Sequence, residues 1–148
     1  MHRLAVEGIS LGVEPRCGIL ADLVIERDGR RIAPLHRAPW VGQPGEVPAD
    51  AAPHLAVLEG DFFCAPFGRT DDPGIPPHGW PANGHWQLGG IDIGEDGAKT
   101  ARLELAERVQ GAVVTKEVTV RPGHPVVYQR HVLRGGEGRL PIAHHAMV

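Results

Sequence analysis

The segment Ala112–Val120, AVVTKEVTV, decides the fold class of this chain. Its β-branched residues alternate along the segment, which is the pattern of a strand with one face against a core. Gln110–Gly111 before it and Arg121–Pro122–Gly123–His124 after it have the composition of turns. The segment therefore predicts one strand of an antiparallel sheet, with a tight turn at each end.

The same kind of pattern extends in both directions from this strand. Thr100–Arg108 has a helix-favouring composition, but its Leu103/Leu105 spacing and the turn that follows favour a strand. The remaining predicted strands and extended segments are Ile9–Val13, Cys17–Arg27, Arg30–His36, His54–Cys64, His85–Ile93, Pro125–Leu133 and Leu140–Val148. Short strands at regular spacing, joined by Gly turns, predict an all-β fold, an antiparallel β-sandwich.

Several local features refine this prediction. Asp28–Gly29 has the composition of a hairpin turn, and Pro34 within the return strand indicates a sheet edge or a bulge. Val41–Pro53 has no periodicity, so we expect an exposed and mobile loop. One face of the strand before the hairpin is expected to carry Ile19, Ala21, Leu23 and Ile25.

The bulk composition limits the classes of protein that fit. With 148 residues, a net charge of −3 and no basic stripe, we expect a single β-sandwich domain over residues 1–148 and no nucleic-acid partner. The sequence shows no apolar run of membrane-spanning length and no signal-peptide pattern, so we expect a soluble cytoplasmic protein with no membrane partner. Cys17 and Cys64 stand in apolar runs, so reduced core thiols are expected. The sequence ends at Ala146–Met147–Val148, which indicates a terminal strand at a sheet edge or a part of a longer sequence.

The stretch Glu59–Trp86, EGDFFCAPFGRTDDPGIPPHGWPANGHW, carries the candidate functional residues. It contains all three Phe together with five Pro and five Gly, so it predicts an ordered loop rather than one regular element. Aromatic rings beside Arg, Asp and His suit a sugar, because ring C–H groups pack on the aromatic face while charged groups bond the hydroxyls. A structural interpretation is also open: Trp80 and Trp86 as core anchors, and Arg69 paired with Asp71 or Asp72.

Three stretches in order resemble a known family. They are DGRRIAPLHRA (28–38), CAPFGRT (64–70) followed by PPHGW (76–80), and the closing VTVRPGHPVVYQRHVLRGGEGRLPIAHHAMV (118–148). Together they resemble the N-terminal half of the galactose mutarotase-like (aldose 1-epimerase) superfamily. The resemblance implies a large antiparallel β-sandwich, of which this chain would be one half, with a sugar-binding groove on a concave face.

The resemblance also implies roles for individual residues. His145 matches the family's proposed general acid, His78 matches a histidine that bonds the sugar near its ring oxygen, and Arg69 matches an arginine that touches hydroxyls. His144 stands where the family has Asn, and Ala146–Met147 replace an aromatic pair. The family's general base is a Glu in a region that this chain does not cover. We therefore expect the catalytic residues to be His145 and His78, and the sugar-binding residues to be Arg69, Trp80, Asp71 and His144.

The implied reaction interconverts the α and β anomers of a free sugar. A base takes the proton of the C1 hydroxyl while an acid protonates the ring oxygen, and His suits the acid because its pKa lies near working pH. This chemistry needs no cofactor and no metal, and its partner is a small sugar or sugar conjugate.

Two other classes of function fit the same residues. One is a non-catalytic carbohydrate-binding domain, in which a homodimer could cover an exposed sheet. The other is a cupin-like metal site, with a carboxylate from Glu59 or Asp61 and imidazoles from His78, His85, His144 and His145.

Overall fold

Two antiparallel sheets pack face to face in the computed structural model, which describes residues 1–43 and 45–148. The first sheet contains β1 (His2–Val6), β2 (Ile9–Glu14), β3 (Ile19–Arg27), β4 (Arg30–Ile32), β5 (Asp61–Cys64) and β10 (Ala143–Ala146). The second sheet contains β6 (Trp86–Ile93), β7 (Lys99–Leu105), β8 (Val113–Val120) and β9 (Val127–Arg134). The prediction of an all-β antiparallel sandwich is confirmed.

Strand order follows the hairpin connections closely. The first sheet runs β1-β2-β3-β5-β10, with β4 paired to the other end of β3, and the second sheet runs β6-β7-β8-β9. The central strand β8 pairs with β7 and with β9 along most of its length. The alternation in Ala112–Val120 therefore predicted this strand correctly, with Val114, Val118 and Val120 on the buried face.

The main core lies between the two sheets. It contains residues from both, including Leu11, Phe63, Trp86, Leu103 and Val118. Burying one such side chain contributes about 1.5–3 kcal/mol, so this layer supplies most of the hydrophobic stabilisation. Trp86 is fully buried, and its indole N–H donates to the Pro81 carbonyl oxygen at 2.8 Å.

A second apolar cluster covers the outer face of the first sheet. It contains Cys17, Ile19, Ala21, Phe62, Cys64 and Ala82, with Val57 and Leu58 packed against it. Two short helices form this outer layer, a 3-10 helix (Pro53–Val57) and α1 (Gly79–Asn83). Alternation along β5 divides its side chains, because Phe62 and Cys64 face the outer layer while Phe63 faces the other sheet.

The predicted face of β3 is wrong, and a bulge explains the difference. The register between β2 and β3 shifts at Asp22, whose φ is +49°. An extra residue in a strand reverses the alternation beyond it. Ile19 and Ala21 therefore pack in the outer cluster, whereas Leu23 and Ile25 pack on the main core.

Other differences from the predicted elements are local. The strand β1 was not predicted, and the return strand after the Asp28–Gly29 turn is only three residues long. The apolar run His54–Cys64 is a strand only in its last four residues, since Pro53 begins a 3-10 helix instead. The last strand is confined to Ala143–Ala146.

The segment predicted as a loop over 41–53 is mostly exposed in its described residues and contains no helix or strand there before Pro53; Pro44 lies outside the described residues.

Both cysteines are free and buried, as predicted, and burial raises the pKa of Cys17 to about 11 and of Cys64 to about 12. Within the described part of the chain, no helix has the length and apolar content needed to cross a membrane.

Candidate functional site

The pairing of β5 with β10 places two neighbouring histidines on opposite faces of the first sheet. In the register, His145 is opposite Phe62 and His144 is opposite Phe63. The His145 ring stacks on Phe62 at 4.8 Å between centroids, and the His144 ring lies 5.6 Å from Phe63. Each histidine therefore belongs to a different layer of the molecule.

Three imidazoles converge on the outer face around Phe62. The ring centroids of His78 and His145 are 5.2 Å apart, and those of His54 and His78 are 5.3 Å apart. We call His54, His78, His145 and Phe62 the outer imidazole cluster. It joins a 3-10 helix, a loop and two strands that are distant in sequence.

The backbone around His78 is pinned to the segment after β5. The His78 N–H donates to the Gly68 carbonyl oxygen at 2.7 Å, and its own carbonyl accepts from the Ala65 N–H at 3.3 Å. His78 has a φ of +67°, which is uncommon outside glycine and costs about 1–2 kcal/mol. The next residue, Gly79, has a φ of +73°, and a Cβ there would approach the Ala65 carbonyl oxygen to 2.1 Å. Only glycine fits at this position, so the loop presents His78 in one fixed place.

His54 is held from the opposite side by Asn83 of α1. The Asn83 Oδ1 atom lies 2.8 Å from His54 Nδ1 and also accepts from the His54 backbone N–H at 3.3 Å. Among described residues, no hydrogen-bond partner is present for the buried Nδ1 atoms of His78 and His145. Nε2 is therefore the atom of these two rings that remains to contact a ligand.

Burial and the neighbouring imidazoles favour the uncharged forms of His54 and His78. Desolvation lowers the pKa of His78, and the neighbouring rings of His54 and His145 lower it further. Desolvation also lowers the pKa of His54, against the opposing effect of its bond to Asn83. A neutral imidazole can accept a proton and its protonated form can donate one, which suits acid–base chemistry.

A groove of about 810 Å³ adjoins this cluster. His54 and the Pro76–Pro77 segment before His78 form one part of its lining, and Arg69 and Asp71 form another. Among the described residues Arg69 makes no ion pair, so the alternative pairing with Asp71 or Asp72 is not formed. Asp72 instead accepts from the Gly74 N–H at 2.8 Å, which is turn chemistry.

The aromatic residues of the loop divide between core and surface. Trp80 is half-buried and packs against the main core, which is the structural interpretation of this residue. Phe67 is 48% exposed, and its ring lies 5.7 Å from that of His78. The exposed ring beside the imidazoles is therefore Phe67 rather than Trp80.

The other face of the β5–β10 pair carries a different set of polar residues between the sheets. His144 Nδ1 lies 3.0 Å from Asp61 Oδ2, which also accepts from Gln129 Nε2 at 2.6 Å. His131 stacks on Phe63 at 4.0 Å, and Lys116, only 1% exposed, donates to the Gly18 carbonyl oxygen at 2.7 Å. We call this set the inner polar cluster; its members are Asp61, Lys116, Gln129, His131 and His144.

Burial dominates the electrostatics of the inner polar cluster. Desolvation, with the Lys116 ammonium as the next cause, lowers the pKa of His131 to about 3. Desolvation also lowers the pKa of Lys116 to about 8, although Asp61 opposes it. Burial alone would raise the pKa of Asp61, but hydrogen bonds from His144 and Gln129 outweigh it and lower that pKa.

The structure thus brings together some of the predicted site residues and separates others. His78 and His145 are in contact, Arg69 and Asp71 share the adjoining groove, and Trp80 and His144 lie elsewhere. In the described part of the chain, no group of three or more His, Cys, Asp or Glu side chains is arranged to hold a metal ion. Of the histidines named for the cupin-like alternative, His144 and His145 occupy opposite faces of the sheet.

Sequence reasoning missed three residues of this region: His54, Phe67 and Asn83. The signal for His54 was Pro53, which favours the first position of a helix and could have marked the run as helical.

The chain matches no protein-family model, no curated protein and no solved structure.

Proposed function

We propose that this chain binds a pyranose sugar in the groove beside the outer imidazole cluster and interconverts its α and β anomers. One observation carries the proposal: His78 and His145, which the family resemblance pairs as sugar-contacting histidines, have rings 5.2 Å apart, and His54, 5.3 Å from His78, lines the groove that also contains Arg69.

The proposed chemistry assigns one step to each imidazole. His145 gives a proton to the ring oxygen through Nε2 as the C1–O5 bond breaks, and it takes the proton back when the ring recloses. His78 hydrogen-bonds the sugar near the same oxygen and fixes the ring. The proton of the C1 hydroxyl goes to solvent water in the groove, because the Glu that serves as base in the resembled family is in a region that this chain does not match.

The groove offers the contacts that a sugar needs. Arg69 is exposed and donates through its planar guanidinium, while the carboxylate of Asp71 accepts from hydroxyl groups. Phe67 is not part of the groove lining, but its exposed ring lies 5.7 Å from that of His78 and provides an apolar face for the C–H groups of the pyranose, the role first expected of Trp80.

The direct test is polarimetry on freshly dissolved α-glucose and α-galactose. The protein should accelerate the change in rotation over buffer, and Arg69→Ala should raise the sugar concentration needed for half-maximal rate by about tenfold, which corresponds to one charge-assisted hydrogen bond. Arg27→Ala, an exposed arginine paired locally with Asp28, is the matched control and should leave the rate unchanged. A rate equal to buffer with both sugars would remove the enzymatic proposal.

A non-catalytic sugar-binding domain is the second candidate. The observation in its favour is that the groove, Arg69 and Phe67 can bind a sugar whether or not a base is present. Titration with the same sugars, followed through the histidine NMR resonances, separates the two candidates. Binding with no acceleration supports the second candidate, and the absence of both would exclude each.

A further inference from the structure

The orientation of the Asn83 side chain is fixed by its surroundings. Its Nδ2 atom donates to the carbonyl oxygens of Pro77 and Gly79, each at 2.7 Å. Carbonyl oxygens only accept hydrogen bonds, so the amide nitrogen must be on that side and Oδ1 on the other. Oδ1 is therefore an acceptor facing His54.

This orientation determines the tautomer of His54. An amide oxygen cannot donate, so the 2.8 Å contact requires that His54 Nδ1 carries the proton. In the neutral ring, Nε2 then has a free lone pair and no proton. Among the residues that the structure describes, no hydrogen-bond partner contacts this Nε2 atom.

His54 also occupies the junction between the groove and the imidazoles. It lines the groove with Arg69, while its ring is 5.3 Å from that of His78. The residue is only 5% exposed, and desolvation holds its pKa below the usual value, so the ring stays neutral at neutral pH. An acceptor held in one orientation at such a junction is arranged for a donor from a ligand.

We infer that His54 is a sugar-binding residue: Asn83 holds it in the Nδ1–H tautomer, so that Nε2 accepts a hydrogen bond from a sugar hydroxyl where the groove meets His78. This inference rests on the proposed function, since it names a further contact in the same site. The hydroxyl oxygen is the donor and loses no proton, so His54 orients the sugar and takes no part in proton transfer.

The first test is NMR of the protein with ¹⁵N-labelled histidine. In the free protein, His54 should show a protonated Nδ1 and an unprotonated Nε2 at neutral pH. Addition of glucose or galactose should move the Nε2 resonance towards that of a hydrogen-bonded acceptor. A protonated Nε2 in the free protein would overturn the inference.

Two variants test the acceptor itself. His54→Phe keeps a ring but removes the acceptor, and it should weaken binding of the same sugar by about 3- to 10-fold, the effect of one hydrogen bond. His54→Gln keeps an acceptor oxygen and should retain most of the affinity. His124→Gln, at an exposed histidine that contacts Tyr128, is the control and should bind normally.

The outcomes separate this inference from the function on which it rests. If sugar moves the His78 and His145 resonances but not His54 Nε2, the inference is wrong and the proposed function stands. If sugar moves none of the three, both are wrong. Equal affinities for the Phe and Gln variants would likewise exclude the acceptor role.

Discussion

The two faces of the β5–β10 pair carry different arrangements of histidine and phenylalanine. On one face His145 stacks on Phe62 and joins His78 and His54 beside the groove. On the other face His144 contacts Phe63 and bonds to Asp61. Both faces combine phenylalanine with histidine, yet their surroundings differ. The outer imidazole cluster adjoins an open groove and consists of three histidines and a phenylalanine, whereas the inner polar cluster contains a buried lysine and a buried carboxylate. Residue type alone therefore does not identify a site, because the neighbours on each face determine which imidazole can reach a ligand.

The largest expected difference between the faces is in catalysis. His145→Ala should reduce any acceleration of anomer interconversion at least ~100-fold, since a general acid typically contributes that much or more. His144→Ala should reduce it by less than about threefold, because His144 is directed to the inner polar cluster. Polarimetry at matched folded concentrations measures both. Equal losses would show that the two faces do not differ in this way.

The second difference concerns stability. Asp61→Ala should lower the free energy of unfolding by about 1–3 kcal/mol, because Gln129 and His144 each lose a buried acceptor. Asp71→Ala, in the exposed groove, should change it by less than about 0.5 kcal/mol while weakening sugar binding. Urea denaturation followed by circular dichroism gives both values. A stable Asp61→Ala protein would contradict the structural role of the inner polar cluster.

The third difference is in pH dependence. The folded-state pKa of His131 is about 3, below the unfolded value of 6.5, so the unfolded chain binds a proton that the folded chain excludes. Stability from this residue is present above about pH 6.5 and is lost as pH falls towards about 3, by at most ~1.4 kcal/mol per pH unit.

His131→Phe keeps the stacked ring on Phe63 and removes this titration. The stability of the variant should therefore fall less steeply than that of the wild type as pH is lowered. The lowered pKa values of His54 and His78 change the stability with pH in the same direction in the wild type and the variant. The difference between the two curves of stability against pH therefore measures the contribution of His131. Parallel curves would show that His131 is not buried as described.

The smallest expected effect concerns self-association. Among the described strands, β9 and β10 are each paired on one side only. Exposed Val126 and Tyr128 lie beside and within β9, and His144 of β10 is 41% exposed. We predict a weak homodimer through these strands, detectable by sedimentation velocity. Association should shift the His144 resonance with concentration and leave that of His145 unchanged. A single monomeric species at all concentrations would contradict the prediction.

The sequence predicted the layers better than the site. Period-two alternation identified β7 and β8, because a strand with one buried face leaves that pattern directly in the residues. It failed at β3, where the bulge at Asp22 reverses the faces, and at Pro53–Val57, where an apolar run folds as a helix. Bulges and short helices depend on contacts with distant segments, so local composition does not reveal them.

For the site, the family resemblance selected His78 and His145, but alternation alone could say only that His144 and His145 face opposite ways. It could not say which face has the groove, since that depends on where the Gly68–His78 loop and the 3-10 helix pack. Local sequence did not indicate His54 as a site residue for the same reason. Its partner Asn83 is distant in sequence and meets it only after both short helices have packed on the sheet.

The register of β10 determines which of two neighbouring histidines lies on each face of the sheet. A single residue added within Gly135–Gly138 that slid β10 by one position would put His144 opposite Phe62 and His145 opposite Asp61. The composition of the protein would hardly change, and the sheet could keep its strand count. The imidazole opposite Phe62 would nevertheless belong to His144 instead of His145. A change in the turn could thus exchange the faces of the two histidines without replacing either residue.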